Sequence, residues 1–136
     1  MFILKNFSPP DSRESFYGKF ELSFRMEVWK ELLFELSLVA IGITLIALLY
    51  QNNLLLTIIL LLSFLLTLKF WRREDILLFF VGAIIGSVSE IIGTNSGVWR
   101  YTNPTFLGIP CWLPLVWGLS VVLIKRIMET LNESRG

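Results

Sequence analysis

The 136-residue chain predicts an all-α integral membrane protein with four transmembrane helices and an N-terminal interfacial amphipathic helix, and three observations carry that prediction. Hydrophobic residues make up 54% of the chain and mean hydropathy is +0.68. They fall in runs long enough to cross a hydrocarbon layer of roughly 30 Å as helices of about 20 residues. Eleven of the twelve Lys and Arg residues flank these runs on one side of the bilayer, the bias expected of a cytoplasmic face.

The apolar runs place the spans at about 32–50, 54–70, 76–93 and 107–124, in one membrane domain covering 1–136. Gln51-Asn52-Asn53 joins the first two, the 71–75 segment joins the second and third, and a long 94–106 loop precedes the fourth. The second run is short and would stand nearly upright. Lys5, Arg13, Lys19, Arg25 and Lys30 precede span one, Lys69, Arg72 and Arg73 lie between spans two and three, and Lys125, Arg126 and Arg135 follow span four. Only Arg100 is left for the opposite side, so the protein is expected in the cell membrane as a multi-pass chain with both termini cytoplasmic.

Residues 1–31 form the cytoplasmic arm. The Met1-Phe2-Ile3-Leu4 start is too short for the apolar segment of a signal peptide. Pro9-Pro10-Asp11-Ser12 reads as a helix start with Asp11 as N-cap and Glu14 three residues on. Between residues 16 and 28 two periods compete: Phe16, Phe20, Phe24 and Val28 recur every fourth residue, while 20–28 also alternates strictly. A helix lying in the interface is favoured, because no second alternating segment is available to pair with a strand unless a partner chain supplies one.

One Cys and no His exclude a His-based catalytic triad, a His or multi-Cys metal centre and an internal disulfide. No metal and no cofactor are therefore expected. Cys111, at the start of span four, reads as a small buried hydrophobe. Net charge is +1 with no basic run, which gives no argument for nucleic acid, and no glycine-rich phosphate loop is present.

Chemistry concentrates between Ser89 and Trp117. Gly82, Gly86 and Glu90 are spaced i, i+4, i+8, so the carboxylate continues a stripe of small residues that lets another helix approach closely. Glu90 should face protein near the outer end of span three, either as a catalytic or ligand-binding acid or as a hydrogen-bonded structural group. Glu35 sits near the cytoplasmic end of span one and can snorkel. The loop after Glu90 is rich in turn residues and should be ordered. Trp99, Tyr101, Phe106, Trp112 and Trp117 crowd one level, where an aromatic belt normally lies. Pro110 and Pro114 suit a first helical turn, and with Gly118 they make a narrow groove between spans three and four plausible.

Glu90-Ile91-Ile92-Gly93, Gly97, Trp99-Arg100-Tyr101, Gly108-Ile109-Pro110 and the 113–117 Leu-Pro-Leu-Val-Trp segment resemble membrane-bound carotenoid biosynthesis proteins of the carotenoid hydratase type. The 99–110 segment is also similar to part of heterodimeric bacterial lycopene cyclase subunits. The resemblance covers about residues 89–117. It implies acid-assisted hydration or cyclisation of an apolar polyene, with Glu90 as the catalytic proton donor. Trp99, Tyr101, Trp112 and Trp117 would then bind substrate and stabilise a carbocation by cation–π interaction.

The expected partners are thus the membrane, a lipid or isoprenoid, and further copies or other chains meeting the Gly82/Gly86 helix-packing face. A non-catalytic small subunit or assembly factor of a larger membrane complex is the alternative. A small-solute carrier with Glu90 as a coupling carboxylate is a third.

Overall fold

The computed structural model describes residues 12–133, in which four helices follow one another: α1 (Ser12–Leu49), α2 (Asn53–Thr67, continued by a 3-10 turn Leu68–Phe70), α3 (Arg73–Asn95) and α4 (Leu113–Glu133). No strand occurs among the described residues. Three helices, Tyr17–Leu49, Asn53–Phe70 and Arg73–Asn95, are long and apolar enough to cross a membrane.

The interfacial arm and span one are a single helix, which corrects the expected break near residue 31. No proline follows Pro10 before the span, and Gly18 and Gly42 stand alone, so nothing in this stretch stops a helix once it starts. At about 1.5 Å per residue, the 33 residues from Tyr17 to Leu49 extend roughly 50 Å, well beyond a hydrocarbon layer. Nor does the N-terminal half of α1 present a single apolar face. Leu22, Met26 and Trp29 are exposed on one side of it and Phe20 and Phe24 on the opposite side, while Val28 is buried. The N-cap reading of Asp11 lies outside the described residues.

The fourth helix begins at Leu113, six residues later than the apolar run suggests. Phe106 and Ile109 instead close a tight turn by exchanging backbone hydrogen bonds of 3.0 and 2.8 Å. Leu107 (φ 47°) and Gly108 (φ 85°) occupy its two central positions in the left-handed region, which no helix accommodates. The helix itself carries Lys125, Arg126, Glu129 and Glu133, so α4 lacks the spanning-length apolar stretch found in the other three. It nevertheless packs against all of them. Of its charged groups, Lys125 and Arg126 find partners inside the protein, on Asp75 of α3.

Close approach holds α3 and α4 together. A Cβ on Gly82 would lie 2.7 Å from Val121 Cγ2, one on Gly86 would overlap Trp117, and one on Gly118 would lie 2.6 Å from the Phe79 ring. Lipid tails are as apolar as leucine, so the gain comes from this interdigitation more than from the hydrophobic effect. At one end of the bundle Phe79 stacks on Phe64 at a 4.3 Å centroid distance, with Trp71 at 5.7 Å. At the other end Leu56, Leu60, Ile109, Trp112 and Leu113 form the buried core, flanked by Ile91 and Tyr101. That core positions the segment between α3 and α4.

Candidate functional site

The end of α3 is built to fold the chain back on itself. Gly97, at φ 74°, supplies the left-handed residue that stops the helix. The Val98 N–H then reaches Gly93 O at 3.0 Å and the Gly97 N–H reaches Thr94 O at 3.1 Å, the paired bonds of a Schellman ending. This turn lays the Trp99 ring directly over Gly93, where any Cβ would collide with it.

One helical turn before Gly93, half-buried Glu90 receives both aromatic donors on the same oxygen. Trp99 Nε1–H donates to Oε2 at 2.9 Å and Tyr101 O–H donates to it at 2.8 Å. Burial, then the hydrogen bond to Glu90 and its negative charge, push the Tyr101 phenol well above the ordinary tyrosine range. Ser87, three residues before Glu90, has a buried hydroxyl without a hydrogen-bond partner.

The four aromatic candidates thus separate into different roles. Trp99 and Tyr101 reach Glu90. Trp117 packs on Gly86 and, with Val81, Gly82, Ile85, Ser89 and Val121, lines a shallow apolar groove of about 220 Å³ between α3 and α4. The close contact offered by the Gly82/Gly86 stripe is taken up by α4 of the same chain. Trp112 is buried and turned away toward α2, donating from Nε1 to Asn53 Oδ1 at 3.0 Å. It belongs to the core more than to an aromatic belt.

Asn53 is the residue that sequence reasoning passed over. Besides accepting from Trp112, its amide donates to Asn103 O at 2.7 Å and to Thr105 Oγ1 at 2.6 Å. Asn103 in turn donates to Gln51 O at 2.8 Å. The available signal was three consecutive amides, Gln51-Asn52-Asn53, at the same predicted level as a loop full of unpaired backbone groups. Cys111, expected to be buried, is exposed, with its sulfur 3.2 Å from Thr57 Oγ1.

A second polar cluster closes the opposite end of α3 and α4. Asp75 is almost fully buried; it accepts the Arg72 N–H at 2.9 Å, capping α3, and pairs with Lys125 at 2.7 Å and Arg126 at 3.7 Å. Glu74 and Glu129 complete the shell around Lys125 at 3.5 and 3.4 Å. Glu35 does not snorkel: it is 8% exposed and receives the Thr130 hydroxyl, 3.4 Å from each carboxylate oxygen.

The chemistry-bearing residues therefore gather at two ends of one helix pair. A carboxylate with aromatic donors lies at the α3 C-terminus, and an ion-pair cluster lies at its N-terminus. Comparison with protein-family models, curated proteins and solved structures finds no match for this chain.

Proposed function

We propose that this chain is a small multi-pass membrane protein that modifies an apolar polyene or related isoprenoid lipid by acid-assisted addition, with Glu90 as the proton donor. The observation that carries the reading is the carboxyl group held by Trp99 and Tyr101 on one oxygen alone. In this reading the second oxygen takes up the proton that is transferred, and the carboxylate held by Trp99 and Tyr101 is the form left after transfer. Protonating a carbon–carbon double bond needs a strong acid, and the two donors on Oε2 hold the charge that remains when the proton departs. Trp99 and Tyr101 reach this carboxyl by their N–H and O–H edges, and in this reading their ring faces stabilise a developing carbocation. An unpartnered Ser87 hydroxyl one turn away favours hydration over cyclisation, because a polar group there suits a water reactant.

The substrate reaches the site sideways from the bilayer, along faces lined by exposed Ile84, Ile85, Val88 and Ile92. In this reading α4 is the fourth span, both termini are cytoplasmic and the 96–112 loop faces the other side. Lipid extraction of the purified protein followed by mass spectrometry tests the substrate class. A co-purifying polyene or polyprenyl compound is expected. Only bulk phospholipid, with no conversion of supplied polyenes, would contradict the proposal.

A second reading is supported by the same two hydrogen bonds. They close the loop over α3, so Glu90 also suits a purely structural clasp in a small subunit of a larger membrane complex. Recovery of the protein from mild detergent in a stoichiometric complex with another chain, with Glu90→Gln assembling normally, would favour that reading.

A further inference from the structure

We infer that Asn53 is a positioning residue of the Glu90 site, bracing the 96–112 loop from the α1–α2 turn so that Trp99 and Tyr101 stay on the carboxylate. This rests on taking Glu90, Trp99 and Tyr101 as the site.

Apolar burial and a set of polar contacts together hold the loop. Between Gly97 and Leu113 its regular structure is the single Phe106–Ile109 turn, and buried Ile109 and Trp112 seat its second half in the core beside Leu56 and Leu60. Trp99 and Tyr101 lie near its beginning, and their hydrogen bonds go to Glu90. After them, the loop's side-chain hydrogen bonds to other elements go to the α1–α2 turn and the start of α2, where the Cys111 sulfur lies 3.2 Å from Thr57 Oγ1. Asn53 meets the loop at Asn103, Thr105 and Trp112 with distances of 2.7, 2.6 and 3.0 Å, and Asn103 returns a bond of 2.8 Å to Gln51 O.

The requirement is specific to a primary amide. The Asn103 carbonyl needs an N–H donor, the Trp112 indole needs an acceptor, the Thr105 hydroxyl takes either role, and all three are met from one planar group. Aspartate would keep the acceptor for Trp112 and could take a reversed bond from the Thr105 hydroxyl, but would set a carboxylate against the Asn103 carbonyl and lose that bond. Alanine would lose all three. Asn53 is also the first residue of α2, so the brace is anchored to a helix whose next turn carries fully buried Leu56. The site is thereby coupled to a turn about 40 residues away in sequence, and the loop moves only as that turn allows.

The coupling is testable without a substrate. In ¹⁵N-labelled full-length protein in detergent micelles, exchange of the Trp99 indole N–H reports whether it remains on Glu90. Asn53→Ala should speed that exchange at least tenfold, leaving the amides of Ala83 and Ile84 in α3 and Val122 in α4 unchanged. Asn53→Asp should speed Trp99 to a smaller degree, through the lost bond to the Asn103 carbonyl, yet leave the Trp112 indole protected, since its acceptor is retained. Gln51→Ala keeps its backbone carbonyl and should change nothing.

Unchanged Trp99 exchange in both Asn53 variants would overturn the inference. So would a uniform rise across α3, α4 and both indoles, which would mark Asn53 as a general stability residue. If Asn53→Ala does not fold, Asn53→Asp alone decides, by whether the Trp99 and Trp112 indoles separate. Loss of the proposed chemistry at Glu90 would leave these exchange results intact, so the two failures are distinguishable.

Discussion

Adding one methyl group at Gly86 should push α3 and α4 apart, because a Cβ there would overlap the Trp117 ring and lie 2.7 Å from Trp117 Cβ. Overpacking of this kind costs about 1–3 kcal/mol. Removing a helical glycine returns up to about 1 kcal/mol through backbone entropy. Gly86→Ala should therefore destabilise by a net of about 0–2 kcal/mol, with the lower figure reached only if the partly exposed Trp117 ring swings outward. Gly42 is the control: it is also helical, but a Cβ on it meets nothing within 4 Å, so Gly42→Ala should stabilise by about 0.5–1 kcal/mol.

A double-mutant cycle isolates the contact. In a Trp117→Ala background the clash is gone, and Gly86→Ala should behave like Gly42→Ala, giving a coupling of about 1–3 kcal/mol between positions 86 and 117. Denaturant unfolding in detergent, followed by helical circular dichroism, reads all four corners. The reasoning is refuted if Gly86→Ala stabilises the wild-type background as much as Gly42→Ala does. That face of α3 would then meet lipid, and the packing that positions Glu90 would have to be rebuilt on other residues.

Asp75→Asn should be strongly destabilising, toward the low end of the roughly 3–5 kcal/mol for breaking a buried pair, because Lys125 keeps Glu74 and Glu129 at 3.5 and 3.4 Å. Adding Lys125→Met should recover part of that loss in the same unfolding assay, and no recovery would show that capping of Arg72 dominates. In a Cys111→Ser background, Arg100→Cys should react with an impermeant thiol reagent from outside the cell and Arg72→Cys should not. The reverse labelling would invert the topology and put the Glu90 end in the cytoplasm.

Much of the fold was legible because lipid imposes a simple rule: α2 and α3 are apolar runs bounded by Gln51-Asn52-Asn53 and the 71–75 polar segment, and they appear where those boundaries fall. The start of α4 was hidden because Phe106-Leu107 looks like the head of an apolar run. Its turn depends on a positive φ at Leu107, which residue type does not announce. The length of α1 was hidden for the opposite reason, since the recurrence of Phe16, Phe20, Phe24 and Val28 suggested a separate amphipathic element where no residue breaks the helix.

The site divides in the same way. The Gly82, Gly86 and Glu90 stripe is a local helical spacing and could be read directly. Trp99 and Tyr101 follow from the turn residues that send the chain back over α3. Asn53 could not be read as a brace, because its partners Asn103, Thr105 and Trp112 lie 50, 52 and 59 residues away. The Glu35–Thr130 contact, 95 residues apart, was out of reach for the same reason, and Glu35 looked free to snorkel.

Conversion of a supplied polyene by membranes containing the wild-type protein or Glu90→Gln tests the central claim most directly. Glutamine keeps an oxygen to accept from Trp99 and Tyr101 and differs chiefly in having no acidic proton, so the loop should stay closed and the protein should fold. With product quantified by mass spectrometry, the account predicts a hydrated or cyclised product from wild type and a rate roughly 10²- to 10⁴-fold lower from Glu90→Gln, the usual contribution of a general acid. Equal product from both proteins, or none from either across a panel of polyenes, would contradict it.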